Sequence, residues 1–143
     1  MKSLVVDVNV LIYAIDHDAQ LHEPAIRWLD EALSGTDTVL FPLLTLIGFE
    51  RLTTSRSAMS NPIGVDVATD YVEQWLGAPN ASIPQPDSRH FARVQGMLNE
   101  TGTGGNLVND AHLAALAQQY DAPVVSFDND FARFSGVDWL RPS

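Results

Sequence analysis

The chain contains no cysteine. That absence removes disulfides, thiolate metal sites and cysteine nucleophiles, and it suits a reducing compartment, so the cytoplasm is the expected location. Long apolar runs are missing too. The N-terminal stretch Ser3-Leu4-Val5-Val6 is broken by Asp7 and Asn9, too short and too polar to span a bilayer or act as a signal sequence, and no membrane association is expected. Positive charge is scarce: 8 Lys plus Arg stand against 18 Asp plus Glu, a formal charge of -10, which speaks against broad electrostatic binding of nucleic acid. A nucleic-acid substrate remains compatible with this charge if its contacts are few and centred on metal. An acidic body also suits a basic protein partner. The only lysine is Lys2, and the other basic residues are Arg, the type suited to bidentate phosphate or carboxylate contacts.

What is present is enough apolar material for a core: 143 residues at 45% hydrophobic content, with no internal repeat, low-complexity tract or obvious linker, predict a single domain over 1–143. Strand-like runs fall at Ser3 to Asp7, Thr38 to Phe41, Ala81 to Pro84, Pro123 to Asp128 and Val137 to Leu140. Helix-period segments separate them. Leu21 to Leu33 carries Ala25, Trp28, Leu29, Ala32 and Leu33 on one stripe, and Val65 to Leu76 carries Val65, Ala68, Val72, Trp75 and Leu76. A further helix is expected to start at Asp87 as cap, turning Phe91, Val94 and Leu98 inward, and another runs from about Leu107 to Tyr120. Apolar strands alternating with helices predict an α/β fold, a central parallel sheet covered by helices on both faces.

Four acids stand at the ends or on the apolar faces of these elements: Asp7, Glu50, Asp110 and Asp128. Open parallel sheets bind ligands beyond the carboxyl ends of their strands, where strand order reverses, and Asp7 and Asp128 lie at such ends. Each alone could merely cap the helix that follows, a reading less persuasive for two such acids than for one, so the pair is read as functional. Glu50 shares helical spacing with Leu43, Leu46 and Ile47, so it is expected to point where they point; it then needs a cation or an Arg, unless it ends the stripe at a solvated rim. Asp110, in the first turn of its helix, has Ala114 and Ala117 on its face and either serves as a ligand or simply gains from the helix dipole. Carboxylates without supporting His or Cys select hard cations, Mg²⁺ or Mn²⁺, and such sites do phosphoryl chemistry.

Other arrangements fall short. Asp16-His17-Asp18 with His22 has irregular spacing for zinc, His90 and His112 look isolated and lack a nucleophile, and Gly102-Thr103-Gly104-Gly105-Asn106 lacks the Lys-Ser/Thr ending of a phosphate-binding loop. Trp28, Trp75 and Trp139 read as packing residues.

The segments Asp7-Val8-Asn9-Val10-Leu11-Ile12-Tyr13-Ala14, the acid Glu50, Asn109-Asp110-Ala111-His112-Leu113-Ala114-Ala115-Leu116-Ala117 and Ser126-Phe127-Asp128-Asn129-Asp130-Phe131-Ala132-Arg133-Phe134, with His22, Trp28 and Trp139-Leu140-Arg141-Pro142, resemble in order and spacing the PIN-domain ribonucleases, in particular VapC-type toxins of bacterial toxin-antitoxin pairs. The resemblance implies a PIN fold and endonucleolytic hydrolysis of RNA by a metal-activated water with Mg²⁺ or Mn²⁺. It places Asp7, Glu50, Asp110 and Asp128 at the metal-binding and catalytic positions, Asn9 and Ser126 at supporting polar positions, and Asp130 as a fifth acid or a helix cap. Many relatives carry Thr or Ser where this chain has Val8, which removes one hydrogen bond to the site. Arg51 and Arg56 are candidates for contact with substrate or antitoxin, or are solvated surface residues. The implied partners are an RNA substrate, a VapB-type antitoxin and a second copy of the chain in a homodimer. A catalytically inert PIN-fold module binding a basic peptide or RNA is the alternative; a phospho-signalling receiver is disfavoured because its late lysine is lacking.

Overall fold

The computed structural model describes residues 2–143. Its central strand is β1 (Ser3–Val6), and the chain then runs α1 (Val8–Ile15), α2 (His22–Ser34), β2 (Thr38–Leu40), α3 (Leu43–Thr53), α4 (Val65–Leu76), β3 (Ala81–Ser82), α5 (His90–Thr101), α6 (Leu107–Gln119), β4 (Val124–Val125), a 3-10 helix (Asn129–Arg133) and β5 (Trp139–Leu140). The strands form one sheet in the order β3-β2-β1-β4-β5, and every pairing is parallel. The chain thus builds outward from β1 to β3, then crosses over and continues from β4 on the other side. The reversal lies between β1 and β4, whose registers pair Val5 with Val124 and Val6 with Val125.

Strand pleating sends alternate side chains to opposite faces. Leu4, Val6, Val39 and Val125 join the core under α1, α2, α3 and α4, while Val5, Leu40 and Val124 join the core under α5 and α6. On the first face Phe49 meets Trp75 edge-on at 4.9 Å and Trp75 stacks with Tyr71 at 5.8 Å, which ties α3 to α4. On the second, Ala111, Ala114, Ala115 and Ala117 are all buried, and their small size lets α6 lie close to the sheet. α5 ends at Gly102, whose φ of 66° is a left-handed cap that a glycine adopts without strain.

Three expectations about helix faces and ends are corrected. α5 begins at His90, not at Asp87: the Asp87 carboxylate instead accepts the Arg89 N–H at 3.0 Å and pairs with Arg93 at 2.7 Å, closing a turn ahead of the helix. Phe91, expected inward, is 69% exposed, and the buried residues of α5 are Val94 and Met97. In α3, Leu43 and Ile47 are exposed while Leu46, Phe49 and Thr53 are buried, so the stripe shared with Glu50 is not the inner face. Among the described residues no helix is long and apolar enough to cross a membrane.

Candidate active site

The chain leaves β1 at Asp7 in extended conformation and turns at once into α1, so the Asp7 carboxylate caps that helix through Val8 N–H at 2.7 Å. The same group serves as more than a cap. Its Oδ2 accepts the Ser126 hydroxyl at 2.7 Å and the Asn9 amide at 3.4 Å, joining the ends of the two strands at the reversal. Ser126 Oγ in turn accepts the Asn9 amide at 3.1 Å and the Asp128 N–H at 3.0 Å, while Asn9 Oδ1 accepts the Phe127 N–H at 3.2 Å. Asn9 and Ser126 therefore orient the carboxylate-bearing segments relative to each other. Burial pushes the Asp7 carboxyl pKa up; hydrogen bonds from Ser126 and Val8 hold it down in part, and the charge of Asp128 adds to the rise.

Beyond β4, Asp128 caps the 3-10 helix through Asp130 N–H at 2.9 Å. Carboxylate oxygens of Asp110, Asp128 and Asp130 all lie within 4.8 Å of one another. Asp110 comes from the first turn of α6. Its pKa is raised to about 7, first by burial and then by the charges of Asp7, Asp128 and Asp130. Three converging oxygen donors, with no nitrogen or sulfur among them, could hold a metal ion, and their mutual repulsion is what a cation would relieve.

These acids line one side of a cleft of about 360 Å³. The other wall is α3, which presents Leu44, Thr45, Gly48, Arg51 and Leu52, and Asn9, Asn106 and Asn109 add polar groups to the lining. Thr45 anchors that wall by donating to the Val6 carbonyl at 2.8 Å, just before Asp7. Glu50 is not brought in. It lies in a neighbouring depression with Ile47, Thr54, Val65 and Ala68; Arg51, one helical step of about 100° further on, borders both this depression and the cleft. Arg56 is exposed past the end of α3 and does not line the cleft. Thr45, Asn106 and Asn109 escaped the sequence reasoning; the polar Asn109 beside Asp110 was the available signal.

The far end of the chain clamps the segment that carries Asp128. Trp139 Nε1 donates to the Ser126 carbonyl at 2.8 Å, and Arg141 donates to the Phe127 carbonyl at 2.8 Å while its guanidinium lies 5.2 Å over the Phe127 ring. Trp139 thus does more than pack. The histidines also differ from expectation: His90 Nε2 and His112 Nδ1 are 2.8 Å apart, so the pair is not isolated, and burial lowers both pKa values. His22 is buried with Nδ1 2.8 Å from the Tyr13 carbonyl, a structural contact.

The PIN domain family profile matches residues 4–137. Ribonuclease VapC37 of Mycobacterium tuberculosis (strain ATCC 25618 / H37Rv) is 47% identical over 138 residues, 96% of this chain and 96% of that protein. Among solved structures, VapBC2 from Rickettsia felis bound to a DNA fragment from their promoter superposes with a TM-score of 0.73 at 16% identity, covering 99% of each chain. Mycobacterium tuberculosis VapC20, described as a sarcin-ricin loop cleaving toxin, superposes with a TM-score of 0.71 at 16% identity over 97% of this chain and 99% of that one. At such identities these structures speak for the fold, while the family profile and the full-length relative place the sequence. The chain belongs to the PIN-domain family, among its VapC ribonucleases.

Proposed function

We infer that this protein is a divalent-metal-dependent endoribonuclease and the toxin of a toxin-antitoxin pair. The observation that carries the chemistry is the convergence of Asp110, Asp128 and Asp130 within 4.8 Å, beside buried Asp7, at the strand-order reversal. The relatives' ribonuclease name supports RNA as the substrate. Asp110, Asp128 and Asp130 would hold the ion, Mg²⁺ or Mn²⁺ by the all-oxygen donor set, with Asp7 completing the acidic wall. When bound, that ion polarises the scissile phosphate and acidifies water.

The residues of the chain do the rest. Ser126 and Asn9 fix the Asp7 carboxylate, Trp139 and Arg141 fix the segment bearing Asp128, and the packed alanine face of α6 sets the height of Asp110. Hydrolysis forms a bond from water oxygen to phosphorus and breaks the bond from phosphorus to O3′. The water's proton is passed on to O3′, leaving a 3′-hydroxyl and a 5′-phosphate. Glu50, turned to the neighbouring depression, is left out of this set.

Several solved relatives by fold are toxin-antitoxin complexes, VapBC from Salmonella typhimurium and FitAB bound to DNA among them. A VapB-type antitoxin with a basic segment for this acidic surface, and a homodimer of the chain, belong to the same proposal; a formal charge of -10 supports the first. The test is incubation of the purified chain with RNA and Mg²⁺ or Mn²⁺, with EDTA and with Asp7→Asn. Cleavage is expected in neither control, and cleavage that persists in both would rule the site out.

A further inference from the structure

We propose that Arg51 is the second cationic element of this cleft, gripping the non-bridging oxygens of the scissile phosphate from the α3 wall opposite the carboxylates. The assignment rests on the ribonuclease reading and deepens it: the site works with one ion and one guanidinium.

Four observations lead to it. The cleft is acidic on one side, with Asp7, Asp110, Asp128 and Asp130, and carries one positive charge on the other, Arg51. Among the described residues the side-chain ion pairs are Arg93 with Asp87 and Arg133 with Asp130, so Arg51 is left without a carboxylate partner despite the acids across from it. Its guanidinium makes no hydrogen bond among the described residues, unlike those of Arg27, Arg93, Arg133 and Arg141, and of the other arginines free in this way, Arg56 and Arg89, neither lines the cleft. Gly48, one turn before Arg51 on the same wall, also lines the cleft, and its missing side chain would meet only Val8, at 3.6 Å.

The carboxylates themselves suggest a single ion. Asp110, Asp128 and Asp130 form one mutually close group, whereas the oxygens of Asp7 are already engaged by Val8 N–H, Ser126 and Asn9. Asp7, Asp110, Asp128 and Asp130 together outweigh one divalent cation even with Arg133 beside Asp130, so a loaded site still repels a phosphodiester. A guanidinium on the facing wall offsets that repulsion, and its planar fork matches two phosphate oxygens at once. As negative charge spreads onto those oxygens during attack, a preorganised donor contributes to rate as well as binding. Lysine, a point charge with a different shape, should replace it only in part.

The test compares wild type with Arg51→Ala, Arg51→Lys and, as a charge-matched control, Arg27→Ala. Cleavage of a short single-stranded RNA should fall on the order of 100-fold in kcat/KM for Arg51→Ala, with partial recovery in Arg51→Lys and no loss in Arg27→Ala. Affinity for a non-cleavable RNA analogue should drop, and the slope of its log Kd against log salt should flatten by about one unit. Mn²⁺ affinity, read by electron paramagnetic resonance without RNA, should hold or tighten in Arg51→Ala, because a neighbouring positive charge has gone. Wild-type cleavage matched by Arg51→Ala, or weakened Mn²⁺ binding together with a lowered Tm in that variant, overturns the assignment while leaving the ribonuclease reading intact. A wild-type chain that cleaves no RNA overturns that reading and this assignment with it.

Discussion

Replacing Asp110 by Asn should make the metal-free protein more stable at neutral pH while abolishing cleavage. The carboxyl pKa stands at about 7 in the fold against 3.8 for the free group. A carboxyl whose pKa rises on folding binds protons more tightly in the native state, so its ionisation costs nothing below the unfolded value, costs progressively more as pH climbs toward 7, and is fully felt above it. At about 1.4 kcal/mol per unit the whole shift would be ~4 kcal/mol, and solvent screening at this half-open position leaves roughly 2 kcal/mol. Urea unfolding in EDTA should therefore show Asp110→Asn ahead of wild type by about 2 kcal/mol at pH 8, and by roughly 1 kcal/mol at pH 5, with equal m-values. Excess Mn²⁺ should reverse the order, since at a hundredfold excess over Kd it adds about 2.7 kcal/mol to wild type alone. The competing idea, that Asp110 merely complements the N-terminus of α6, demands the opposite sign: Asn would be less stable at pH 8 by up to ~1 kcal/mol. An Asn variant weaker than wild type in EDTA at pH 8 refutes the cluster argument.

Two further outcomes are expected. Glu50→Gln should retain cleavage within about threefold of wild type in an RNA assay, because a rim residue outside the cleft adds little to transition-state stabilisation, whereas Asp128→Asn should lose on the order of 100-fold. Ser126→Ala removes the 2.7 Å hydrogen bond to Asp7 and the acceptor for Asp128 N–H, so it should cost about 1 to 3 kcal/mol in urea unfolding and raise the Asp7 pKa further, visible by carboxyl NMR titration.

How much of this was legible in the sequence depends on which physical signal each residue carried. The strand ends were plain, because an apolar run that stops at an acid marks both the strand and where it emerges; Asp7 and Asp128 follow β1 and β4, which pair at the reversal as the parallel-sheet logic requires. α4 was found at Val65–Leu76, the bounds its apolar period suggested. α3 was harder. Leu43, Leu44, Leu46, Ile47 and Phe49 surround much of the helix, so composition does not say which arc meets the sheet, and the chosen stripe was one step away from the one facing the cleft. That single step puts Arg51 on the cleft, while Glu50 borders only the depression beside it. The contact between His90 and His112 joins two helices across 22 residues of sequence, and no local pattern announces such a pair.

The pairing of β1 with β4 also bears on folding kinetics. Asp7 meets Ser126 across 119 residues of sequence, so Asp7 joins Asp110, Asp128 and Asp130 only after β1 has docked on β4, a slow, entropically expensive closure. An intermediate in which β1 has not docked lacks Asp7 and so lacks the complete four-acid wall. Recovered RNA cleavage during refolding should then track the last kinetic phase, which makes enzymatic activity a report on completion of the native topology rather than on collapse.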